Sequence, residues 1–427
     1  MNLVDLNSDS DSRLSVQILL LGLYFGLAPV YWLPGISISS LRAVKFVLIA
    51  LGLSVVYSKS MLLSKPIFPS GMVGPLGLMF LLISAFPAFL LAPTNSIILS
   101  NLLEYFMGFI VLWCFYLIQK HEGDNFILYK ISVFLILIFS VLTVVNFMTG
   151  IPKLYAPVEF IEKPLWVAGF GAGRTGWSNG ITYYAVISLC FAFTSSRKSV
   201  RFVYLAAFMG IFLSQLIAAG RAGILVSIVA PILFLILLKK WRLVLVMSLV
   251  LIVLVVYAGG MLTDSLRFNR LLTSEVTMKQ IDHFSAGRIS GYLFAIDLAT
   301  KEPLFGYGFG HEKVKYETQF ESGKEIHNLW LKLLVEGGIF LPLSFLMFSS
   351  YVLIKINRNV KYLLITSANN VEFVALYCVF ISGIIISMFE PNALIGSLQV
   401  SAIWWAAIGS LLGLIDHRRG NNIAKLA

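Results

Sequence analysis

Charged residues are scarce in this chain of 427 residues, and so are cysteine and histidine. Only 12% of the residues are charged, whereas soluble domains average about 25%. No C-x-x-C pair occurs, so neither a disulfide framework nor a zinc site is indicated. The three cysteines each lie in an apolar run, where they are expected to pack as small soft side chains: Cys114, Cys190 and Cys378.

What the chain has in abundance is apolar sequence. Hydrophobic residues make up 58% of it, and the mean hydropathy is +0.87. Both values indicate an all-α polytopic membrane protein. The net charge of +11 would also fit a nucleic-acid partner. We exclude that partner because the positive charges lie in short loops between apolar runs.

A membrane-spanning helix needs about 20 predominantly apolar residues. The start, "MNLVDLNSDSDSRLSV", has no basic region typical of a signal peptide, so we expect the first apolar run to stay in the protein. We predict a single transmembrane domain over 1–427 with a short loop at 149–176 and a large loop at 263–326. Its twelve predicted spans are 15–33, 41–57, 72–92, 97–118, 127–148, 177–195, 202–219, 222–238, 241–262, 327–354, 371–389 and 394–415.

Basic residues in the short loops predict the orientation, because cytoplasmic loops are enriched in Lys and Arg. One side holds 17 of them, between Arg13 and Lys425, and the other side holds five. Both termini are therefore predicted to be cytoplasmic. Five basic residues on the outer side are exceptions to this rule and are therefore of functional interest: Arg42, Lys153, Lys163, Arg174 and Arg221.

The loop 263–326 contains a segment with helical periodicity, "SAGRISGYLFAIDLATK". We predict a helix that is capped near Ser285 and ended by Pro303, with an apolar stripe at Ile289, Leu293 and Ile296. Such a helix can lie on the membrane interface or cover a cleft. The following "GYGFG" has no preceding strand and no P-loop lysine, so it indicates a turn rather than a nucleotide site.

Four cationic or titratable groups are predicted at the outer boundary of the membrane. Arg174 and Arg221 stand beside glycines, Arg288 begins the loop helix, and His327 with Asn328 opens the tenth span. One arginine there could simply reach lipid phosphate. Four groups on one face favour an anion site, because arginine grips phosphate through two hydrogen bonds. A lipid diphosphate beside one histidine is the ligand that fits this charge and depth.

The order of these pieces resembles the bacterial O-antigen ligase and polymerase family. The similar segments are "GRTGWSNG", "AAGRAGILVSI", "SAGRISGYLFAIDLATKEPLFGYGFG" and "HNLWLKLLVEGGI", over roughly 170–345. The resemblance implies an inverting glycosyltransferase of the bacterial inner membrane that needs no metal or other cofactor. Its site would be periplasmic, and its donor a glycan on undecaprenyl diphosphate. Other polysaccharide assembly proteins are possible partners.

The resemblance also implies roles for individual residues. Arg221 and Arg288 would hold the diphosphate with help from Arg174, and His327 would act on the acceptor hydroxyl. The product could be a polymerised glycan or, nearly as well, a glycan attached to lipid A-core by a ligase. Leu341 stands where ligases tend to carry glycine, which slightly weakens the ligase reading.

A lipid-linked oligosaccharide flippase and a non-catalytic scaffold are the alternatives. A flippase needs polar groups near the membrane midplane, but most runs here are apolar in their middles, and a scaffold does not explain the arginines. Lys332 and Glu336 are spaced as a neutralising helical pair, with Glu336 also a candidate for substrate binding. Glu104 is another exception, and Lys45 is expected to extend its ammonium to the outer interface.

Overall fold

The protein is a bundle of α-helices. The computed structural model describes residues 18–62, 71–91, 95–122, 126–157, 162–266, 288–309, 326–366, 370–395 and 397–426, and within these ranges it contains no β-strand. The helices are α1 (Ile18–Leu27), α2 (Ile38–Leu62), α3 (Val73–Leu91), α4 (Asn95–Glu122), α5 (Ile127–Thr149), α6 (Leu165–Ala168), α7 (Arg174–Thr194), α8 (Lys198–Ala218), α9 (Arg221–Leu237), α10 (Trp241–Leu266), α11 (Arg288–Lys301), α12 (Leu329–Gly337), α13 (Phe340–Thr366), α14 (Asn370–Ser387) and α15 (Leu398–Leu426).

Five helices in the described ranges are long and apolar enough to cross a membrane, which supports the predicted class of polytopic membrane protein. They contain the segments Leu102–Lys120, Ile127–Thr149, Lys198–Ala218, Phe340–Asn359 and Leu398–Arg418. Five further apolar helices are shorter: Ile18–Leu27, Val73–Phe86, Arg221–Leu237, Trp241–Val253 and Val371–Ser387. The count of twelve spans therefore stays a prediction.

The outer surface of the bundle is apolar, as expected for helices that face lipid. The described part of α10 exposes large apolar side chains, including Leu245 and Leu249, and the described part of α2 exposes Val44 and Val47. A soluble protein rarely exposes contiguous apolar patches of this kind. The three cysteines are buried and unbonded to one another, as the sequence predicts.

The two ends of the bundle can be distinguished by the polar contacts at one of them. At one end the Asp416 carboxylate accepts a hydrogen bond from Tyr116 at 3.0 Å and lies 3.6 Å from the Lys355 ammonium. At the other end α15 begins at Leu398, which at 1.5 Å per residue is about 27 Å away. We call this second end the site end, because α7, α9 and α15 begin there and α14 finishes there.

The predicted span 327–354 is wrong as a single helix. The chain forms the short helix α12, turns at Gly338 and Ile339, and continues as α13. Gly338 has φ +62, and a Cβ added to it would lie 2.1 Å from the carbonyl oxygen of Leu304. The left-handed φ ends the first helix, because other residues rarely adopt it.

The "GYGFG" turn docks on the end of α12. The backbone N–H groups of Tyr307 and Gly308 donate to the carbonyl oxygens of Val335 and Glu336, both at 2.8 Å. These bonds satisfy carbonyls that a helix end leaves without partners. The turn therefore fixes α12 to the segment that follows α11.

Helix α11 confirms the predicted loop helix over the residues that the structure describes; the expected cap at Ser285 lies outside them, as do 267–287 and 310–325 of the predicted loop. Its buried face differs from the predicted stripe. Phe294, Ala295 and Leu298 are buried, together with Val335 of α12, whereas Leu293 is 62% exposed. The helix thus covers α12 and turns the predicted stripe outward.

Candidate functional site

A carboxylate that the sequence analysis missed joins two of the predicted site residues. Glu390, in the loop after α14, lies 2.9 Å from Nη2 of Arg288 through Oε1. Its other oxygen, Oε2, lies 3.7 Å from Nδ1 of His327. The Glu390 side chain is nearly buried, so a charged guanidinium beside it compensates for much of its desolvation. We call Arg288, His327 and Glu390 the site cluster.

His327 is held in place by its backbone neighbours. The Asn328 side chain caps α12 by accepting from the Leu331 N–H at 3.1 Å, and it donates to the Met388 carbonyl at 3.0 Å. The Tyr292 hydroxyl of α11 donates to the His327 carbonyl at 2.8 Å. Burial raises the pKa of the Tyr292 phenol, against the opposing effect of Arg288, so this hydroxyl stays protonated and remains a donor. Three segments thus fix the position of one histidine.

The imidazole of His327 presents two different edges. Its Nδ1 is buried and faces Glu390, while the side chain as a whole is 34% exposed. A carboxylate beside Nδ1 favours the tautomer with the proton on that nitrogen, which leaves Nε2 able to accept a proton. The separation of 3.7 Å is longer than a hydrogen bond, so this is an electrostatic contact.

Arg174 and Arg221 come together through their helix starts. Arg174 begins α7 and Arg221 begins α9. Ser178 of α7 donates to the carbonyl of Gly220 at 3.0 Å, and a Cβ added at Gly220 would lie 2.2 Å from the Ser178 Cβ. The glycine beside Arg221 is therefore needed for the close approach of α7 to the start of α9.

Arg174 and Arg221 lie at the same end of the bundle as the site cluster. Helix α14 packs against both α7 and α9 and finishes at Ser387, just before Glu390. Two helix N-termini with partial positive charge therefore stand beside the loop that carries the Glu390 carboxylate. This arrangement suits an anion with several oxygens.

Lys332 and Glu336 lie further along α12. The Lys332 ammonium donates to Oδ1 of Asn392 at 2.9 Å, which ties the helix to the loop 388–397. Glu336 is buried and lies about 10 Å along the helix from Leu329, at 1.5 Å per residue. The structure does not bring Glu336 to the site cluster, and its role in substrate binding stays a prediction.

The sequence contains a feature that identifies Glu390, but a search for basic residues does not find it. It is the acidic member of the loop "EPNA", which separates the predicted spans 371–389 and 394–415. A carboxylate in so short an outer loop needs a cation or water to compensate for its negative charge. Its partners, Arg288 and His327, are 102 and 63 positions away, so only the fold reveals them.

The fold and the site together define an α-helical membrane protein with a cationic, histidine-containing site at one end of its bundle. Residues 202–346 match the family model described as O-antigen ligase. Over that segment, this match supports the resemblance to the O-antigen ligase and polymerase family found in the sequence. The matched segment contains Arg221, Arg288 and His327, but neither Arg174 nor Glu390. No curated protein matches the chain.

Proposed function

We propose that this protein is an inverting glycosyltransferase that uses no metal and acts at the periplasmic face of the bacterial inner membrane. It moves a glycan from undecaprenyl diphosphate to a hydroxyl of an acceptor sugar, as a polymerase of surface polysaccharide. The observation that carries the proposal is the site cluster, which sets a histidine with an exposed edge beside a partly buried arginine. The family match supports enzyme chemistry of this general type.

The cluster accounts for each part of the reaction. The acceptor oxygen attacks the anomeric carbon of the donor sugar from the face opposite the diphosphate, and the bond from that carbon to the diphosphate oxygen breaks. Nε2 of His327 takes the proton of the acceptor hydroxyl, as a general base. The diphosphate leaves with the bonding electron pair, and Arg288 and Arg221 stabilise its negative charge with help from Arg174.

Glu390 has two roles in this proposal. In the free enzyme its carboxylate occupies Arg288, which neutralises the guanidinium until the diphosphate arrives. During transfer it stabilises the imidazolium that forms on His327, as an acidic partner does for other catalytic histidines. A diphosphate that binds Arg288 must therefore compete with one carboxylate oxygen.

A ligase that attaches the finished glycan to lipid A-core is the second candidate, and the description of the matching family model favours it. A deletion strain distinguishes the two through its lipopolysaccharide or capsule. Loss of a polymerase leaves single repeat units, whereas loss of a ligase leaves bare core with long glycan on the lipid carrier. An unchanged surface glycan in the deletion strain would contradict both.

Complementation of the same strain tests the arginines. Arg288→Lys and Arg221→Lys should reach the membrane at normal levels and restore little glycan, because an ammonium cannot reproduce the two-pronged grip on a phosphate. Arg242→Lys, on an exposed residue at the opposite end of the bundle, is the matched control and should complement fully. Full complementation by both site variants would remove these arginines from the mechanism.

A further inference from the structure

A cavity with several polar groups in its lining lies at the site end, outside the segment that matches the family model. Its volume is about 350 Å³, and it lies between α1, α2, α4 and α15. Two basic side chains, Arg42 and Lys45, and the carboxyl group of Glu104 line it, together with the amide of Gln399. Small-molecule sites have volumes of about 300–1,000 Å³ and combine apolar walls with a few polar groups.

Both cations in this cavity are held in fixed positions. Lys45 is buried, and its ammonium donates to the carbonyl oxygens of Ala28, at 3.2 Å, and Val30. The prediction that Lys45 extends to the interface is therefore wrong. Arg42 donates to the Tyr31 hydroxyl at 2.6 Å, with its guanidinium carbon 5.2 Å from the centre of that ring. Two preorganised positive charges thus line one wall.

The mouth of the cavity opens on the apolar surface of the bundle. Phe46 and Leu103 line the cavity and are 51% and 46% exposed. The next residue of α2, Val47, is 56% exposed. A ligand that enters here comes from the lipid side, so an amphipathic ligand with an anionic head and an apolar chain fits both the charges and the mouth.

The cavity neighbours the site cluster at the same end of the bundle. Its wall residue Gln399 follows the loop that carries Glu390. A Cβ added at Gly180 of α7 would lie 2.6 Å from Cβ of Pro29 and 3.5 Å from the carbonyl oxygen of Gln399. The start of α7, which bears Arg174, therefore packs against this wall. A head group in the cavity would therefore lie at the same end of the bundle as the site cluster.

We propose that this cavity binds the phosphorylated head group of the lipid that carries the acceptor sugar. The proposal rests on the proposed function, since only a transferase needs an acceptor site separate from the donor arginines. Arg42 contributes a two-pronged grip on phosphate and Lys45 a fixed point charge. Glu104 and Gln399 line the same space and can bond to sugar hydroxyls. The phosphate can come from a lipid A glycolipid or from a second polyprenyl-diphosphate glycan.

Binding by the purified full-length chain tests this proposal without turnover. The protein carries Arg288→Ala, to weaken the donor site, and is placed in phosphatidylcholine nanodiscs. The probes are diphosphoryl lipid A, undecaprenyl diphosphate and dephosphorylated lipid A. Arg42→Gln should weaken binding of one phosphorylated probe by about 10- to 100-fold, the usual cost of one charged hydrogen bond. Dephosphorylated lipid A should bind the parent and the Arg42→Gln protein equally.

Two further variants make the result specific. Lys153→Gln removes an exposed positive charge elsewhere at the site end and should leave binding unchanged. Leu103→Trp fills the mouth without changing charge and should weaken the same probe as Arg42→Gln, in protein with normal thermal unfolding. The probe affected identifies the source of the phosphate.

Two outcomes would overturn the cavity proposal: equal binding by all variants, or an equal loss for dephosphorylated lipid A. Failure of the proposed function is visible separately, as absence of glycan transfer by the unmodified chain with donor and acceptor supplied. Transfer that persists while Arg42→Gln binds every probe normally would reject the cavity and keep the enzyme.

Discussion

At the scale of single residues, a carboxylate shared between a guanidinium and an imidazole is the feature that gives the site its chemistry. Arg288 and His327 lie on opposite sides of Glu390, at 2.9 and 3.7 Å. An arginine alone at a membrane boundary could serve only to contact lipid phosphate. The shared, nearly buried carboxylate holds Arg288 inside the bundle instead, where it can meet a ligand.

Glu390→Gln should separate binding from catalysis. The amide keeps the shape of the side chain but removes the negative charge that competes for Arg288, so the donor should bind as tightly as in the wild type or more tightly. The turnover rate should fall by about 10- to 1,000-fold, because the imidazolium on His327 loses its acidic partner. Donor affinity and single-turnover rates measure the two effects.

Glu302→Gln is the control for that variant. Glu302 is an exposed carboxylate just after α11, so its neutralisation should change neither quantity. A Glu390→Gln protein with wild-type rate and affinity would show that Glu390 only fixes the loop.

At this scale the sequence identifies polar site residues that adjoin an apolar run. It does not identify the role of a residue whose partners lie elsewhere in the chain. Arg174, Arg221, Arg288 and His327 stand out because each is a polar group next to an apolar run. Glu390 and Lys45 were missed or misread because their partners are distant in sequence: carbonyls of the segment after α1 for Lys45, and α11 for Glu390. Only the packing of the helices brings those partners together.

At the scale of helices, the break between α12 and α13 determines where the histidine lies. The sequence run from 327 to 354 is apolar enough to look continuous, and hydropathy does not register a left-handed glycine. The break lets α12 pack under α11 while α13 continues through the bundle. Composition predicted the existence of the loop helix and the apolar runs correctly, but it could not predict this turn.

Gly338→Ala should destabilise the protein far more than Gly150→Ala. Gly338 has φ +62 and ψ −163, a region that is essentially restricted to glycine and costs other residues about 1–3 kcal/mol. Gly150 has φ +66 and ψ 11, in the left-handed region, where the cost is about 1–2 kcal/mol. Only at Gly338 would the new Cβ meet the Leu304 carbonyl, at 2.1 Å, since nothing lies within 4 Å of it at Gly150. Thermal unfolding of the two purified variants measures the difference. Equal losses would mean that the docked turn contributes nothing.

At the scale of the whole molecule, the two ends of the bundle differ in their polar chemistry. The end with Lys355, His417 and Asp416 is the one that the basic-residue count predicts to be cytoplasmic. The site end lies about 27 Å away along α15, close to the 30 Å of a hydrocarbon core. The proposed site therefore needs a defined orientation of the bundle in the membrane.

Cysteine labelling in intact cells tests that orientation. Tyr155→Cys, in the exposed loop after α5, should react with an impermeant thiol reagent from outside, and Ser199→Cys, at the exposed start of α8, should not. The three native cysteines are buried, so their background reaction should be low. The reverse labelling pattern would place the site end in the cytoplasm and contradict the proposed periplasmic transfer.

A single-turnover assay tests whether the site cluster transfers glycan with His327 as the base. Purified wild type, His327→Gln and His417→Gln are given a synthetic undecaprenyl-diphosphate glycan and its acceptor at neutral pH, and transfer is measured in a single turnover alongside donor binding. An amide forms hydrogen bonds but takes no proton, so His327→Gln should bind donor normally and transfer about 10²–10⁴-fold more slowly. His417→Gln, at the opposite end, should match the wild type. Transfer by His327→Gln at close to the wild-type rate would contradict the account.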